Sequence, residues 1–114
     1  MSDPNCIFCK IAAGEIDSDI VHETDDIVAF TDLNPQAPMH ILIIPRRHIA
    51  TINDLAESDS EVIGQLFLAA KDIAAREGYT DYRVVMNCNA DAGQSVFHVH
   101  LHLLGGRQFG WPPG

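Results

Sequence analysis

Basic residues are scarce in this chain: seven lysines and arginines stand against 16 aspartates and glutamates, leaving a formal net charge of −9. A surface this acidic cannot neutralise a run of phosphates, so long nucleic acid is excluded as a partner. A single small anion is a different case, because backbone N–H groups, hydroxyls and imidazoles in a pocket can hold it against an unfavourable overall field. Long apolar runs are also missing. The longest, Ile41-Leu42-Ile43-Ile44, is far too short to cross a bilayer. The opening Met-Ser-Asp-Pro has neither the basic nor the apolar region of a secretory leader. No membrane partner is expected, and the expected location is the cytoplasm. Cysteines number only three, and two of them form Cys6-Ile7-Phe8-Cys9. An odd count argues against a disulfide framework and for a reducing compartment, where such a pair binds metal or does redox work. Internal repeats, low-complexity tracts and linkers are absent, so residues 1–114 are expected to form one domain.

What is present is a core: 46% of the residues are hydrophobic, enough to bury a real interior. Asn5 to Ala13 reads as a short N-terminal helical turn closed by Gly14. The β-prone runs 20–24 and 27–31 flank Asp25-Asp26, which predicts a hairpin. The prolines of 32–38 make that segment a loop, and His40 to Ile44 is a strand ended by Pro45. A helix capped by Ser58 or Ser60 follows, with Val62, Leu66, Ala69, Ala70, Ile73 and Ala74 recurring as one apolar stripe until Gly78. Arg83 to Met86 is a further strand, Asn87 to Ser95 a polar loop, and Val96 to Leu104 the last strand. About five strands and one long helix predict an α+β domain with a five-stranded antiparallel sheet.

The last strand carries His98, His100 and His102 in alternation with Val99, Leu101 and Leu103. Side chains alternate faces along a strand, so the three imidazoles are expected on one face and the aliphatic set in the core. One histidine there would be an ordinary hydrogen-bonded residue, but packing gives no reason for three. A metal site is one use. Alternate residues lie about 6.5–7 Å apart and can share a zinc ion, whereas the first and third are about 13 Å apart and cannot. The other use is covalent catalysis, in which a neutral imidazole attacks an electrophile while its neighbours move protons. With a pKa near about 6.5, histidine is mostly neutral at physiological pH. The middle position, His100, has a neighbour on each side and is the better nucleophile. Just upstream, Gly93-Gln94-Ser95 is expected to offer exposed N–H groups, an amide and a hydroxyl to phosphate oxygens.

These residues carry a family likeness. The run Gly93-Gln94-Ser95-Val96-Phe97-His98-Val99-His100-Leu101-His102-Leu103-Leu104 resembles the signature of the histidine triad (HIT) superfamily. The segment from Asp32 to His40 and the tail Gly105 to Gly114, with its Trp-Pro-Pro-Gly end, resemble the Hint branch of histidine triad nucleotide-binding proteins. The resemblance implies that His100 attacks the α-phosphorus of a purine nucleoside phosphoramidate and forms a nucleotidyl-histidine that water resolves. It implies that His98 and His102 flank the nucleophile, that His40 joins the proton relay, and that Ser95 bonds near the α-phosphate or the leaving nitrogen. Gly93, Gln94 and Asn87 would line the phosphate site, Asp32 would accept the ribose hydroxyls, and Phe8, Ile11, Phe30 and Leu33 would enclose the base. It further implies a homodimer whose two sheets join into one, with Trp111 close to the partner's site.

The cysteine pair is similar to that of bacterial HIT proteins holding a structural zinc. That likeness implies a ligand set of Cys6, Cys9, His48 and His98, with no cofactor needed for catalysis; the plainer alternative is two reduced cysteines packed in a small element. Cys88 has no evident partner. Other readings stay open on the sequence: dinucleoside polyphosphate hydrolysis or nucleotidyl transfer with the same nucleophile, a catalytic zinc between His98 and His100, or a nucleotide-binding interaction protein.

Overall fold

The computed structural model describes residues 3–114. Its elements run α1 (Ile7–Ala12), β1 (Ile20–Glu23), β2 (Ile27–Thr31), β3 (Met39–Pro45), α2 (Ser60–Arg76), β4 (Tyr82–Val85) and β5 (Leu101–Gly105). Short 3-10 turns lie at Ile52–Asp54, Glu57–Asp59 and Ala90–Ala92. The strands form one sheet in the order β1-β2-β3-β5-β4, and every neighbouring pair is antiparallel. The α+β class, the five-stranded sheet, the long helix and the short N-terminal helix all match the expectation from sequence.

The central strand shows how the layers stack. All seven residues of β3 are buried, so the sheet must be covered on both faces. Met39, Ile41 and Ile43 point to one side, joining Ile27, Ala29, Leu101 and Leu103 under Leu66, Ala69, Ala70, Ile73 and Ala74 of α2. This is the aliphatic stripe read from the sequence, with Val62 partly buried at its margin. Leu42 and Ile44 point the other way, with Val28 and Phe30, onto Cys6, Phe8 and Cys9 of the N-terminal segment. The β1–β2 hairpin turns as expected at Asp25-Asp26. Its turn is held by Thr24, whose Oγ1 accepts the N–H groups of Asp26 and Ile27, each at 3.2 Å.

Two local expectations are corrected. Pairing in β5 begins at Leu101, not at Val96. The register Ile43↔Leu101 would next set Pro45 against Val99, but proline has no N–H to continue a ladder. Val99 N–H instead donates to Ile49 O at 2.7 Å. His98 and His100 therefore precede the paired strand, and only His102 belongs to it. The start of α2 also differs. Asp59, not Ser58 or Ser60, occupies its N-cap position and makes no side-chain cap bond. The Asp59 carboxylate instead accepts Ala56 N–H at 2.9 Å and pairs with Arg47.

The stripe on α2 yields a stability test. Ile73 is fully buried, whereas Phe67 on the same helix is 49% exposed. Ile73→Ala is expected to lower the unfolding free energy by about 2–5 kcal/mol, and Phe67→Ala by less than about 1 kcal/mol. Urea denaturation of the two variants checks this, and equal losses would refute the layer assignment.

Candidate active site

Cross-strand register lays one row of side chains over the sheet face that α1 covers. His102 pairs with Leu42, Leu42 with Phe30, and Phe30 with Ile20. Phe8 of α1 stacks edge-on against Phe30 at 5.4 Å between ring centroids and against His100 at 5.1 Å. A cavity of about 250 Å³ opens beside this stack. Phe8, Ile11, Phe30 and Leu42 give it apolar walls; Ser95, His100, His102 and Asp32 gather polar groups along it.

The imidazoles are ordered by their hydrogen bonds. Gln36 N–H donates to His40 Nδ1 at 3.0 Å. A neutral His40 then carries its proton on Nε2, which lies 2.9 Å from His102 Nδ1 and 3.4 Å from Asp32 Oδ2. His102 Nδ1 is thus an acceptor, and its own proton sits on Nε2. His100 is the reverse case: its Nδ1 lies 2.7 Å from the carbonyl oxygen of His98, so Nδ1–H donates and Nε2 keeps its lone pair. Burial lowers the pKa of His40 and His100, with Asp32 opposing in both cases. Burial also lowers His102 to about 4, aided by the like charges of His100 and His40. The row is therefore neutral at physiological pH, as a nucleophilic imidazole must be.

His98 lies on the far side of His100, turned away from the cavity. Its Nε2 lies 2.7 Å from Pro45 O, so Nε2–H donates and Nδ1 is left bare. That Nδ1 lies 3.4 Å from Cys6 Sγ, 3.5 Å from Cys9 Sγ and 3.3 Å from His48 Nδ1. His48 Nδ1 is 3.4 Å from Cys9 Sγ. Tetrahedral zinc with bonds of about 2.3 Å to sulfur and about 2.05 Å to nitrogen sets S···N edges near 3.5 Å and N···N edges near 3.3 Å. The donor set and spacing fit such an ion. The CxxC spacing works here because Cys6 caps α1: its Sγ accepts Cys9 N–H at 3.4 Å, which brings the two sulfurs to one end of the helix. A catalytic zinc between His98 and His100 is excluded, since both nitrogens of His98 are turned elsewhere. Asp32, His40 and His102 also bring ligand atoms together. A metal on His40 Nε2 would require a proton on Nδ1, where Gln36 N–H already points, so this group is a hydrogen-bonded chain.

The remaining expected residues divide. Ser95, Phe8, Ile11, Phe30, Leu33 and Asp32 reach the cavity; Leu33 does so from the rim, 97% exposed. Asp32 Oδ1 also accepts Asn34 N–H at 2.8 Å, which fixes its carboxylate. The loop at 93–94 does not present open donors. Gly93 N–H bonds Ala90 O and Gln94 N–H bonds Asn89 O, closing the 3-10 turn on itself. The Gln94 side chain is buried, donating to Ala50 O and Val96 O and accepting from Asn89 N. Gln94 is thus a strut beneath Ser95, not a phosphate contact. Asn87 stands beside Gly93 and outside the cavity lining. Trp111 is 85% exposed and touches none of the site.

Sequence reasoning missed Ile7, Ile16, Asp17 and Ser18 on the cavity wall, and it missed Gln36. Gln36 is held in turn by the C-terminal segment, where Arg107 Nε donates to Gln36 O at 2.8 Å. The guanidinium groups of Arg107 and Arg83 both lie over the Phe109 ring, at 4.3 and 5.1 Å from its centroid.

Imidazoles that converge on an aromatic cavity beside a five-stranded antiparallel sheet define the class as a histidine triad domain. Comparison with known proteins agrees. Residues 5–109 match the family described as scavenger mRNA decapping enzyme C-term binding. The chain is 48% identical over 106 residues to the purine nucleoside phosphoramidase of Escherichia coli, covering 91% of this chain and 89% of that protein. A HIT family hydrolase from Legionella pneumophila superposes with a TM-score of 0.94 at 55% identity, covering 96% of this chain and all of that one. A histidine triad protein from Clostridium difficile gives 0.93 at 41% identity, covering 96% and 97%. The chain belongs to the histidine triad superfamily.

The tautomers are directly measurable. Long-range ¹H–¹⁵N correlation spectra are expected to show His100 protonated on Nδ1 and His40 on Nε2 at neutral pH. His100 protonated on Nε2 would overturn the assignment of its lone pair.

Proposed function

We propose that the chain is a hydrolase of purine nucleoside phosphoramidates, of the adenosine 5′-monophosphoramidase type, working through a nucleotidyl-histidine. One observation carries this reading. The His98 carbonyl holds His100 Nδ1–H at 2.7 Å, which leaves Nε2 as the basic nitrogen of a side chain lining the cavity. The similarity to a phosphoramidase over nine-tenths of the chain supports the substrate class.

In the first half-reaction His100 Nε2 attacks the α-phosphorus and the P–N bond of the substrate breaks. The electron pair leaves with the amine nitrogen, which takes a proton from His102, the end of the chain that begins at His40. Positive charge forms on the substituted imidazole, where the Nδ1–H bond to the His98 carbonyl becomes charge-assisted and stronger. Ser95 bonds the leaving nitrogen or a phosphoryl oxygen through its hydroxyl, a role supported by its place in the lining of the same cavity as His100 and His102. In the second half-reaction water attacks phosphorus, the bond to Nε2 breaks and its electron pair returns to the ring. The proton lost by water restores His102. Phe8, Ile11 and Phe30 hold the base, and Asp32 accepts the ribose hydroxyls.

A structural zinc belongs to the same proposal, held by Cys6, Cys9, His48 and His98. It supplies a cross-link between the N-terminal segment, the loop after β3 and the approach to β5, and no chemical step passes through it. Thiolate ligands of this kind persist in a reducing, cytoplasmic setting, and Cys6, Cys9 and Cys88 are all free thiols here. Pairing of two copies along β4 is also proposed. Its support is that β4 is an edge strand and that Trp111 lies exposed. Sedimentation is expected to show a dimer, and a monomer at micromolar concentration would remove that part.

His100→Ala is expected to lower phosphoramidate turnover by more than about a thousandfold while AMP still binds. Retention of a tenth of the activity would remove the assigned role. Cys6→Ser with Cys9→Ser is expected to lose bound zinc and melt at lower temperature with part of the activity kept. Unchanged metal content by elemental analysis would rule out the ligand set.

A further inference from the structure

The cavity has two ends, and the one away from the imidazoles has its own chemistry. The row His102–Leu42–Phe30–Ile20 crosses three strand spacings, or about 14 Å at about 4.8 Å each. A mononucleotide with its phosphorus at His100 and its ribose at Asp32 lays its base toward β1. The wall there is apolar, built from Ile11 and Ile16, except for Asp17 and Ser18. These two are set against the start of β1 by a tight turn, in which Ile20 N–H donates to Ser18 O at 3.0 Å. The neighbouring Asp19 is already engaged, since its carboxylate accepts Thr31 Oγ1–H at 3.0 Å. Asp17 makes no hydrogen bond or ion pair among the described residues, yet it lines the cavity.

We infer that Asp17 selects the base, favouring guanine over adenine; this rests on the nucleotide reading of the cavity. The purine edge farthest from the sugar carries N1 and the 2- and 6-substituents. In guanine N1–H and the 2-amino group are adjacent donors, which match the two acceptor oxygens of one carboxylate. Adenine sets its 6-amino donor beside the N1 lone pair, so one contact with the carboxylate attracts and the other repels. Ser18, the other polar side chain of that wall, is a hydroxyl that donates as readily as it accepts, so it suits either base and the order is set by Asp17. Asp17 is exposed, so the discrimination is roughly tenfold, far below that of a buried hydrogen-bonding site.

The test is equilibrium titration of the full chain with GMP, IMP and AMP, run beside hydrolysis of guanosine and adenosine phosphoramidates. Wild type is expected to bind GMP about tenfold more tightly than AMP, with IMP, which lacks the 2-amino group, between them. Asp17→Ala is expected to bring the GMP and AMP constants within about twofold of each other. Asp17→Asn is expected to lose the preference as well, because a carboxamide pairs equally with the 6-amino group and N1 of adenine and with N1–H and O6 of guanine. Thermal melting of both variants should match wild type, as an exposed loop side chain without partners requires. A GMP-to-AMP ratio that is the same in all three proteins overturns the assignment. If both phosphoramidates are cleaved with that unchanged ratio, only the role of Asp17 falls. If neither is cleaved but the binding ratios shift as stated, the role of Asp17 stands and the phosphoramidate reading falls.

Discussion

Both ring nitrogens and the carbonyl of His98 are engaged, and the rest of the site is arranged around that fact. Its Nε2–H is anchored on the Pro45 carbonyl, which the proline has made the end of the β3–β5 ladder. Its Nδ1 faces two sulfurs and His48. Its own carbonyl sets the proton position of His100. A residue with no exposed surface thereby joins the sheet, the Cys₂His₂ cluster and the nucleophile. Buried polar groups of this kind are tolerable because each has a partner. Removing one leaves an unsatisfied group in an apolar interior.

The sheet makes the second constraint. Because α2 covers one face with small and aliphatic residues, the opposite face is where polar side chains can gather. There α1 covers only part of the surface, and the uncovered part is the cavity. His102 shares that face with Leu42 and Phe30, so an aromatic wall and an imidazole row come from the same alternation. The relay from Gln36 through His40 to His102 then follows from a loop that folds back over the start of β3.

Most of the fold was legible in the sequence, since α2 and β3 announce themselves by period and composition. The limit of β5 was not, because it is set across the sheet by Pro45 rather than by anything in residues 96–100. Local pattern put three histidines on one face, and Cys6, Phe8 and Cys9 pack on that same face, with Phe8 against both His98 and His100. Gln94 misled for a related reason. A polar residue beside a glycine reads as a loop donor, and only the fold shows its amide buried under three backbone partners. His100, His102, His40, Ser95 and Asp32 were legible because few structural needs call for those residue types there. Ile16, Asp17 and Ser18 were not, since a cavity wall assembled from a loop leaves no periodic trace.

The peptide groups of Gln36 join two parts of the chain that are far apart in sequence. Its N–H fixes the proton on His40, while its carbonyl is clasped by Arg107, whose guanidinium rests on Phe109. The tail and the 32–38 loop are therefore coupled mechanically: a change that loosens the arginine's seat reaches the imidazole chain through one residue's backbone, whatever side chain that residue carries.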